Sequence, residues 1–123
     1  ISNSSIVVKD IESNVDEQTS IGEGTVILKG ATIQRDATIG KHCIINTNAS
    51  VDHDCSIGNF THIAPGVNLC GNVTVGNNTL IGVGSSVIPG ITIGNNVVIG
   101  AGSVVVKDIP DNVMAFGNPC KYE

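Results

Sequence analysis

The chain has 123 residues, enough for one domain, and 41% of them are hydrophobic although only 2% are aromatic. A formal net charge of −5 argues against a nucleic-acid partner, because such binding depends on a basic surface. No apolar run reaches the roughly 18 residues of a membrane span, so no membrane partner is expected. Four cysteines without metal-binding spacing predict reduced thiols, a cytoplasmic location and no metal site.

Residues 1–14 are interpreted as an N-terminal lead-in. From Val15 to Val105, a Val, Ile or Leu occupies every sixth position, sixteen times without an insertion. Four residues after each stands a small or β-branched residue, such as Ala31 or Cys43. A period of six fits neither a helix nor one continuous strand. It predicts short extended segments separated by corners, which is an all-β repeat architecture.

Glycines add a second period, because one corner carries glycine every 18 residues. These glycines are Gly22, Gly40, Gly58, Gly76 and Gly94. Three short strands and three corners therefore form one coil, and parallel stacking of coils gives a prism. We expect about five coils over residues 15–108, followed by a C-terminal tail at 109–123. Because the corner follows each aliphatic residue, we expect these glycines to adopt positive φ.

The charges isolate one short segment in the middle of the prism. Between residues 42 and 106 there is no Lys or Arg, and the only acids are Asp52 and Asp54, which flank His53. A carboxylate beside an imidazole fixes its tautomer and supports the charged form, as a general base near neutral pH requires. We interpret His53 as a general base with Asp54 as its partner. Asp52 takes a glycine-type corner position and is interpreted as a turn residue.

Two further positions are candidates for the same chemistry. His62 precedes the inward aliphatic Ile63, so its side chain should point outward from a flat face, where another subunit could meet it. Gly71 lies 18 residues after His53, one coil above it, and its N–H could polarise a carbonyl group. A purely conformational role for this glycine is the alternative. His42, beside Lys41, is interpreted as a turn residue.

Three segments carry a resemblance to a known family. They are INTNASVDHDCSIGNFTHIAPG (45–66), LCGNVTVGNNTLIGVGSSVIPG (69–90) and VIGAGSVVVKDIPDNVMAFGNPCK (98–121). They resemble the bacterial sugar acetyltransferases of the sialic acid O-acetyltransferase and bacillosamine-pathway N-acetyltransferase type. The resemblance implies a left-handed parallel β-helix, a homotrimer with active sites between subunits, and acetyl-CoA as co-substrate. It also implies acetyl transfer to the amino group of a nucleotide-linked amino-deoxy sugar, with O-acetylation of sialic acid or another sugar hydroxyl as the alternative.

The resemblance implies roles for individual residues. His53 would be the general base that Asp54 orients, for direct attack on the thioester, and Asn46 would contact the acceptor. The residues implied to contact acetyl-CoA, in a groove between prisms, are His62, Gly71, Val83, Ala101, Lys107 and Lys121. The first two would lie near the acetyl group and the two lysines near the phosphates.

Two other classes stay open, as does the acceptor. A metal lyase of the γ-carbonic anhydrase type would place three histidines at a trimer interface, but the histidines at 42, 53 and 62 fit that spacing poorly. A non-catalytic scaffold is the other alternative. Relatives of the resembled type carry an N-terminal Rossmann-like domain that binds the sugar nucleotide. Here residues 1–14 are expected to lead directly into the prism, so the sequence leaves the acceptor sugar undetermined.

Overall fold

The computed structural model describes residues 6–123, in which nineteen short strands form three sheets. Sheet A consists, in spatial order, of β1 (Val8–Lys9), β4 (Val26–Ile27), β7 (Ile44–Ile45), β10 (His62–Ile63), β13 (Leu80–Ile81), β16 (Val98–Ile99), β18 (Met114–Phe116) and β19 (Lys121–Tyr122). Sheet B consists of β17 (Val104–Val105), β14 (Ser86–Val87), β11 (Asn68–Leu69), β8 (Ser50–Val51), β5 (Thr32–Ile33) and β2 (Asn14–Val15). Sheet C consists of β15 (Thr92–Ile93), β12 (Thr74–Val75), β9 (Ser56–Ile57), β6 (Thr38–Ile39) and β3 (Ser20–Ile21).

Successive strands visit sheets A, B and C in turn, so each turn of the chain contributes one strand to each side of a prism. Repeat strands pair in parallel with the strand 18 residues away, as His62 does with Leu80. The fold is a left-handed parallel β-helix, which confirms the predicted class. It has about six turns rather than five. The lead-in contributes β1 and the tail contributes β18, which extends sheet A in parallel.

The boundaries at residues 14/15 and 108/109 stay predictions, and residues 1–5 of the expected lead-in lie outside the described part of the chain. Within residues 6–123, no helix is long and apolar enough to cross a membrane.

The core is the stack of aliphatic residues that the period of six identified. All positions of this series from Ile27 to Val105 are buried, whereas Val15 and Ile21 at the open end are only partly buried. Buried hydroxyl groups form hydrogen bonds between neighbouring coils. The Thr61 hydroxyl donates to the Gly76 carbonyl at 2.6 Å and accepts from the Thr79 N–H at 3.2 Å. No buried polar side-chain atom in the described residues lacks a partner.

The expectation of positive φ at the periodic glycines is wrong. Positive φ falls two residues later in each corner, where Gly, Asn or Asp is frequent, as at Gly84 with φ 71° and Asp54 with φ 61°. Glycine is needed at the earlier position because the next coil passes too close for a side chain. A Cβ at Gly58 would lie 2.8 Å from the carbonyl carbon of Gly76. The 18-residue glycine period therefore records backbone packing rather than backbone dihedral angles.

The outer surfaces of the three sheets differ in polarity. The outward residue of each strand in sheet C is exposed and polar: Ser20, Thr38, Ser56, Thr74 and Thr92. In sheet B the outward residues are Asn14, Thr32, Ser50, Asn68, Ser86 and Val104. In sheet A they are Val8, Val26, Ile44, His62, Leu80, Val98 and Met114. From β1 to β18, sheet A thus presents an apolar outer face, interrupted by a single histidine.

Candidate active site

The corner that joins sheet B to sheet C carries the first group of candidate residues. His53 and Asp54 lie in the turn after β8, and the His53 side chain is 38% exposed. Its Nδ1 lies 3.0 Å from Asp54 Oδ2. Asp52 Oδ1 accepts the His53 backbone N–H at 2.7 Å and so stabilises the turn. Because an ionised carboxylate only accepts hydrogen bonds, Nδ1 carries the proton in neutral His53 and Nε2 keeps its lone pair.

Gly71 lies directly over the His53 ring. A Cβ at this position would be 2.6 Å from His53 Nε2 and 2.7 Å from Cε1, so any side chain would displace the ring. The next coil is held there by the Asn72 N–H, which donates to the His53 carbonyl at 3.0 Å. The Gly71 N–H itself has no hydrogen-bond partner within residues 6–123. The residue that packs against the basic face of His53 thus also carries a backbone N–H without a partner in the described residues.

The outer face of sheet A carries the second group. His62 points outward from β10, and its Nε2 lies 3.0 Å from Asn46 Nδ2. Asn46 Oδ1 accepts the Thr47 backbone N–H at 2.8 Å, which fixes the direction of the amide. Burial lowers the pKa of His62 below its ordinary value, so the ring is held neutral.

These two groups lie on opposite sides of one prism. The cross-section of a coil is a triangle in which each side is one strand, and the three strands belong to sheets A, B and C. The corner between sheets B and C is therefore opposite the side that belongs to sheet A. A single chain therefore brings His53, Asp54 and Gly71 together, and separately His62 and Asn46, without joining the two groups.

The residues expected to contact acetyl-CoA also lie on separate parts of the prism. Val83 and Ala101 are exposed one above the other on the corner between sheets A and B. Lys107 lies on the corner between sheets B and C, three coils beyond His53, and Lys121 lies in β19 at the end of sheet A. The single chain therefore does not gather these residues at one place.

The third histidine belongs to neither group. His42 lies on the corner between sheets C and A, where its ring stacks on Phe60 with 5.4 Å between ring centroids. Within residues 6–123, no three His, Cys, Asp or Glu side chains are grouped so that they could hold a metal ion.

Sequence reasoning overlooked Arg35. It lies one coil below His53, and its Nη1 is 3.6 Å from Asp54 Oδ2 and 3.1 Å from Asp36 Oδ2. The guanidinium thus contacts the same carboxylate oxygen as His53 does. The signal was available, because residues 35 and 53 differ by one 18-residue period.

Cys43 and Cys55 are not suited to act as nucleophiles at either group. All four are free, and the thiols of Cys43 and Cys55 are buried in the small-residue positions of the core. Burial raises the pKa of both thiols, which disfavours the reactive thiolate. The Cys55 thiol donates to the Cys70 carbonyl at 3.1 Å.

Comparison with known proteins identifies the class. The sequence profile of the bacterial transferase hexapeptide (six repeats) family matches residues 18–53, 36–71 and 72–107. The chain belongs to this family, which confirms the hexapeptide repeat deduced from the sequence. A comparison with curated protein sequences gives no match.

Solved structures refine the class. The chain is 43% identical to PerB from Caulobacter crescentus, solved in complex with CoA and GDP-perosamine, with a TM-score of 0.95. The matched region covers 98% of this chain and 58% of PerB. The acetyltransferase domain of PglB from Neisseria gonorrhoeae FA1090 is 38% identical, with a TM-score of 0.92 over 96% of this chain and 58% of that one.

A more distant structure shares the fold alone. AntD, an N-acyltransferase from Bacillus cereus, has a TM-score of 0.88 at 18% identity, over 95% of this chain and 79% of AntD. The chain thus spans somewhat more than half the length of PerB and of the PglB structure. The resemblance to sugar acetyltransferases, stated from the sequence motifs, is confirmed.

Proposed function

We propose that this protein is an acetyl-CoA-dependent acetyltransferase that acetylates the amino group of a nucleotide-linked amino-deoxy sugar. The observation that carries the proposal is the His53 ring held between Asp54 and Gly71. It occurs in a chain 43% identical to PerB, which was solved with CoA and GDP-perosamine. A mutant of the perosamine N-acetyltransferase from Caulobacter crescentus, also solved with CoA and GDP-perosamine, is 42% identical to this chain.

The geometry supports direct transfer with His53 as the general base. His53 Nε2 removes a proton from the acceptor amine while the amine nitrogen bonds to the thioester carbonyl carbon. The carbon–sulfur bond breaks, and the imidazolium returns its proton to the departing thiolate. Asp54 stabilises the charged ring through Nδ1, 3.0 Å away. The Gly71 N–H, which has no hydrogen-bond partner within residues 6–123, would stabilise the negative charge that develops on the carbonyl oxygen.

The residues of the upper coils fit acetyl-CoA as the donor. The corner between sheets A and B is smooth beside Val83 and Ala101, since a Cβ at Gly84 or Gly102 would meet nothing within 4 Å. Such an edge suits an extended, largely apolar arm. Lys107 and Lys121 are the only Lys or Arg residues after Lys41, and phosphate groups require such cations.

A homotrimer completes the site in this proposal. His62 and its apolar surroundings on sheet A are opposite the corner that carries His53, so only different copies can bring the two together. A cyclic arrangement in which each sheet A face receives the neighbouring His53 corner buries the apolar face three times and creates three equivalent sites. Ile44 and Val98 on this face are each 37% exposed in the single chain.

A cytoplasmic location is part of the proposal. Four free cysteines are typical of a compartment that keeps thiols reduced. The test of the location is fractionation of the producing cells, followed by detection of the protein with an antibody. Recovery in a secreted or membrane fraction would contradict this part.

The activity is tested by acetyl transfer from acetyl-CoA to purified acceptors. The panel contains GDP-perosamine, other nucleotide-linked amino-deoxy sugars, and for each a matched analogue with a hydroxyl in place of the amine. CoA release and the mass of the product are measured, together with acetyl-CoA binding by calorimetry. We expect acetylated amine and binding of the donor. Acetylation of the hydroxyl analogues alone would establish O-acetylation instead, and no binding of acetyl-CoA would reject the enzyme.

A further inference from the structure

We propose that Asn46 is a positioning residue that holds His62 as the Nδ1–H tautomer, so that His62 offers the shared site a hydrogen-bond donor and no basic nitrogen. The inference rests on the proposed function for its catalytic meaning. It differs from the acceptor contact that the resemblance implied for Asn46, because Asn46 acts here through His62.

The direction of the Asn46 amide is settled by its neighbour. Asn46 Oδ1 accepts two hydrogen bonds from Thr47, one from its backbone N–H at 2.8 Å and one from its hydroxyl at 3.3 Å. The reversed amide would set its own N–H groups against the Thr47 N–H, with two donors facing each other. The amide nitrogen is therefore the group that faces His62.

This direction determines which His62 nitrogen carries the proton. The amide nitrogen lies 3.0 Å from His62 Nε2 and has only protons to offer, so Nε2 must accept. A neutral imidazole has a single N–H, which is then on Nδ1. A charged ring would place an N–H on both nitrogens and would oppose the Asn46 donor. Burial disfavours the same charged form and lowers the pKa of His62.

No other side chain on the sheet competes for the ring. The residues that flank His62 in the neighbouring strands are Ile44 and Leu80, which offer no polar atoms. His62 Nδ1 has no partner within residues 6–123. Its N–H is therefore available to an acceptor atom outside the chain, and a carbonyl oxygen of the acetyl donor is the chemical type that matches it.

The inference assigns complementary roles to the two histidines. In His53 the proton on Nδ1 is engaged by Asp54 and the basic Nε2 is free. In His62 the basic Nε2 is engaged by Asn46 and the proton on Nδ1 is free. Both rings are Nδ1–H tautomers, but His53 presents a basic nitrogen, whereas His62 presents an N–H donor. Only His53 can therefore accept the proton of the acceptor amine.

The test replaces Asn46 by Asp, which has the same shape. In Asn46→Asp the Thr47 N–H still fixes one carboxylate oxygen, and the other oxygen faces His62 where the amide nitrogen was. That oxygen accepts, so the His62 proton should move to Nε2. The matched control is Asn48→Asp, which adds the same charge at the same corner, at a residue with φ 58° that does not contact His62.

The tautomer is read by ¹⁵N NMR of the full chain labelled at histidine, with His62 assigned by comparison with His62→Gln. We expect protonated Nδ1 and unprotonated Nε2 in the parent and in Asn48→Asp, and the reverse in Asn46→Asp. An Nε2–H or charged His62 in the parent overturns the inference, as does an Nδ1–H ring that survives in Asn46→Asp.

Turnover tests the catalytic meaning separately. Loss of one hydrogen-bond donor at a reacting carbonyl costs on the order of 10²-fold in kcat. We expect a loss of this size in Asn46→Asp and near-parent turnover in Asn48→Asp. Equal turnover in both variants, with the tautomer reversed, overturns the positioning role. If the parent catalyses no acetyl transfer, the proposed function fails, whereas the NMR result still decides the tautomer.

Discussion

The corner between sheets B and C and the outer face of sheet A use the same side chain for opposite purposes. The corner surrounds His53 with charge: Asp54 at 3.0 Å, and Arg35 within 3.6 Å of the same carboxylate. The face surrounds His62 with Ile44, Leu80 and one neutral amide. The partner of each ring therefore decides its chemistry. A carboxylate leaves a basic nitrogen free, and an amide donor leaves an N–H free.

The two regions also differ in how far they are complete in one chain. The His53 corner contains the proposed base, the proposed orienting acid and the proposed backbone donor within two adjacent coils. The sheet A face contains a donor and an apolar surface that nothing in residues 6–123 covers. We infer that assembly, rather than folding, brings the two regions together. The following predictions either break or sharpen this comparison.

The largest effect is expected from separating the two regions. Leu80→Asp places a charge in the apolar face beside His62, where assembly would bury it unpaired, so the trimer should dissociate and turnover should fall to background. Light scattering measures the mass, and circular dichroism measures the fold. Thr74→Asp, on the exposed outer face of sheet C, is the control and should stay assembled and active. A folded Leu80→Asp trimer would show that sheet A is not the interface.

Removing the base should have the next largest effect. His53→Ala should lower kcat by roughly 10²–10⁴-fold, the usual contribution of a positioned general base, and should leave the trimer and its melting temperature nearly unchanged. Steady-state kinetics and light scattering check both parts. His42→Ala, on the corner between sheets C and A, is the matched control and should retain activity. Near-normal turnover of His53→Ala would refute the proposed mechanism.

Crowding the base should be milder than removing it. In Gly71→Ala the new methyl group would lie 2.6 Å from His53 Nε2, so the ring must turn away from the Gly71 N–H. We expect kcat to fall by about 10²-fold with the fold retained. Pro89→Ala, one coil higher on the same corner, should be neutral. In the His53→Ala background, Gly71→Ala should add little further loss, because both changes act on one group.

The smallest effect is on stability. Burial lowers the pKa of His62 in the folded protein below its ordinary value of 6.5. The unfolded chain therefore binds the proton first as the pH falls, and His62 contributes a stability that is present above about pH 6.5 and is lost progressively below it. Melting temperatures from pH 7.5 to 5 should fall more in the parent than in His62→Gln. If the melting temperature falls equally with pH in both proteins, the protonation of His62 does not differ between the folded and the unfolded chain.

Much of the architecture was predictable because it is periodic. An aliphatic residue at every sixth position predicts short strands separated by corners, and the glycine period of 18 predicts three corners per turn. The structure buries the aliphatic series from Ile27 to Val105. The 18-residue period predicted that Gly71 lies over His53, and it equally predicts that Arg35 lies beneath His53. Register in a solenoid follows sequence spacing, so any contact between residues 18 apart can be read from the sequence.

Features that depend on local side-chain direction were not predictable in this way. Asn46 and His62 are 16 residues apart, off the period, and they meet because the Thr47 N–H turns the amide toward β10. The conformation of the corners was also misassigned. Left-handed φ occurs at the third corner residue, whether this is glycine as at Gly84 or a residue such as Asp54, while the glycines of the 18-residue period allow the close approach of adjacent coils.

The sequence by itself therefore determined the coil, its register and the isolation of Asp52, His53 and Asp54 in a nearly uncharged region, because the two periods and the distribution of charges are properties of residue spacing alone. Only the tertiary structure decided that His53 and His62 lie on opposite sides of the prism and present opposite groups. Those properties depend on which sheet each residue joins and on which atom of a neighbour faces each imidazole nitrogen.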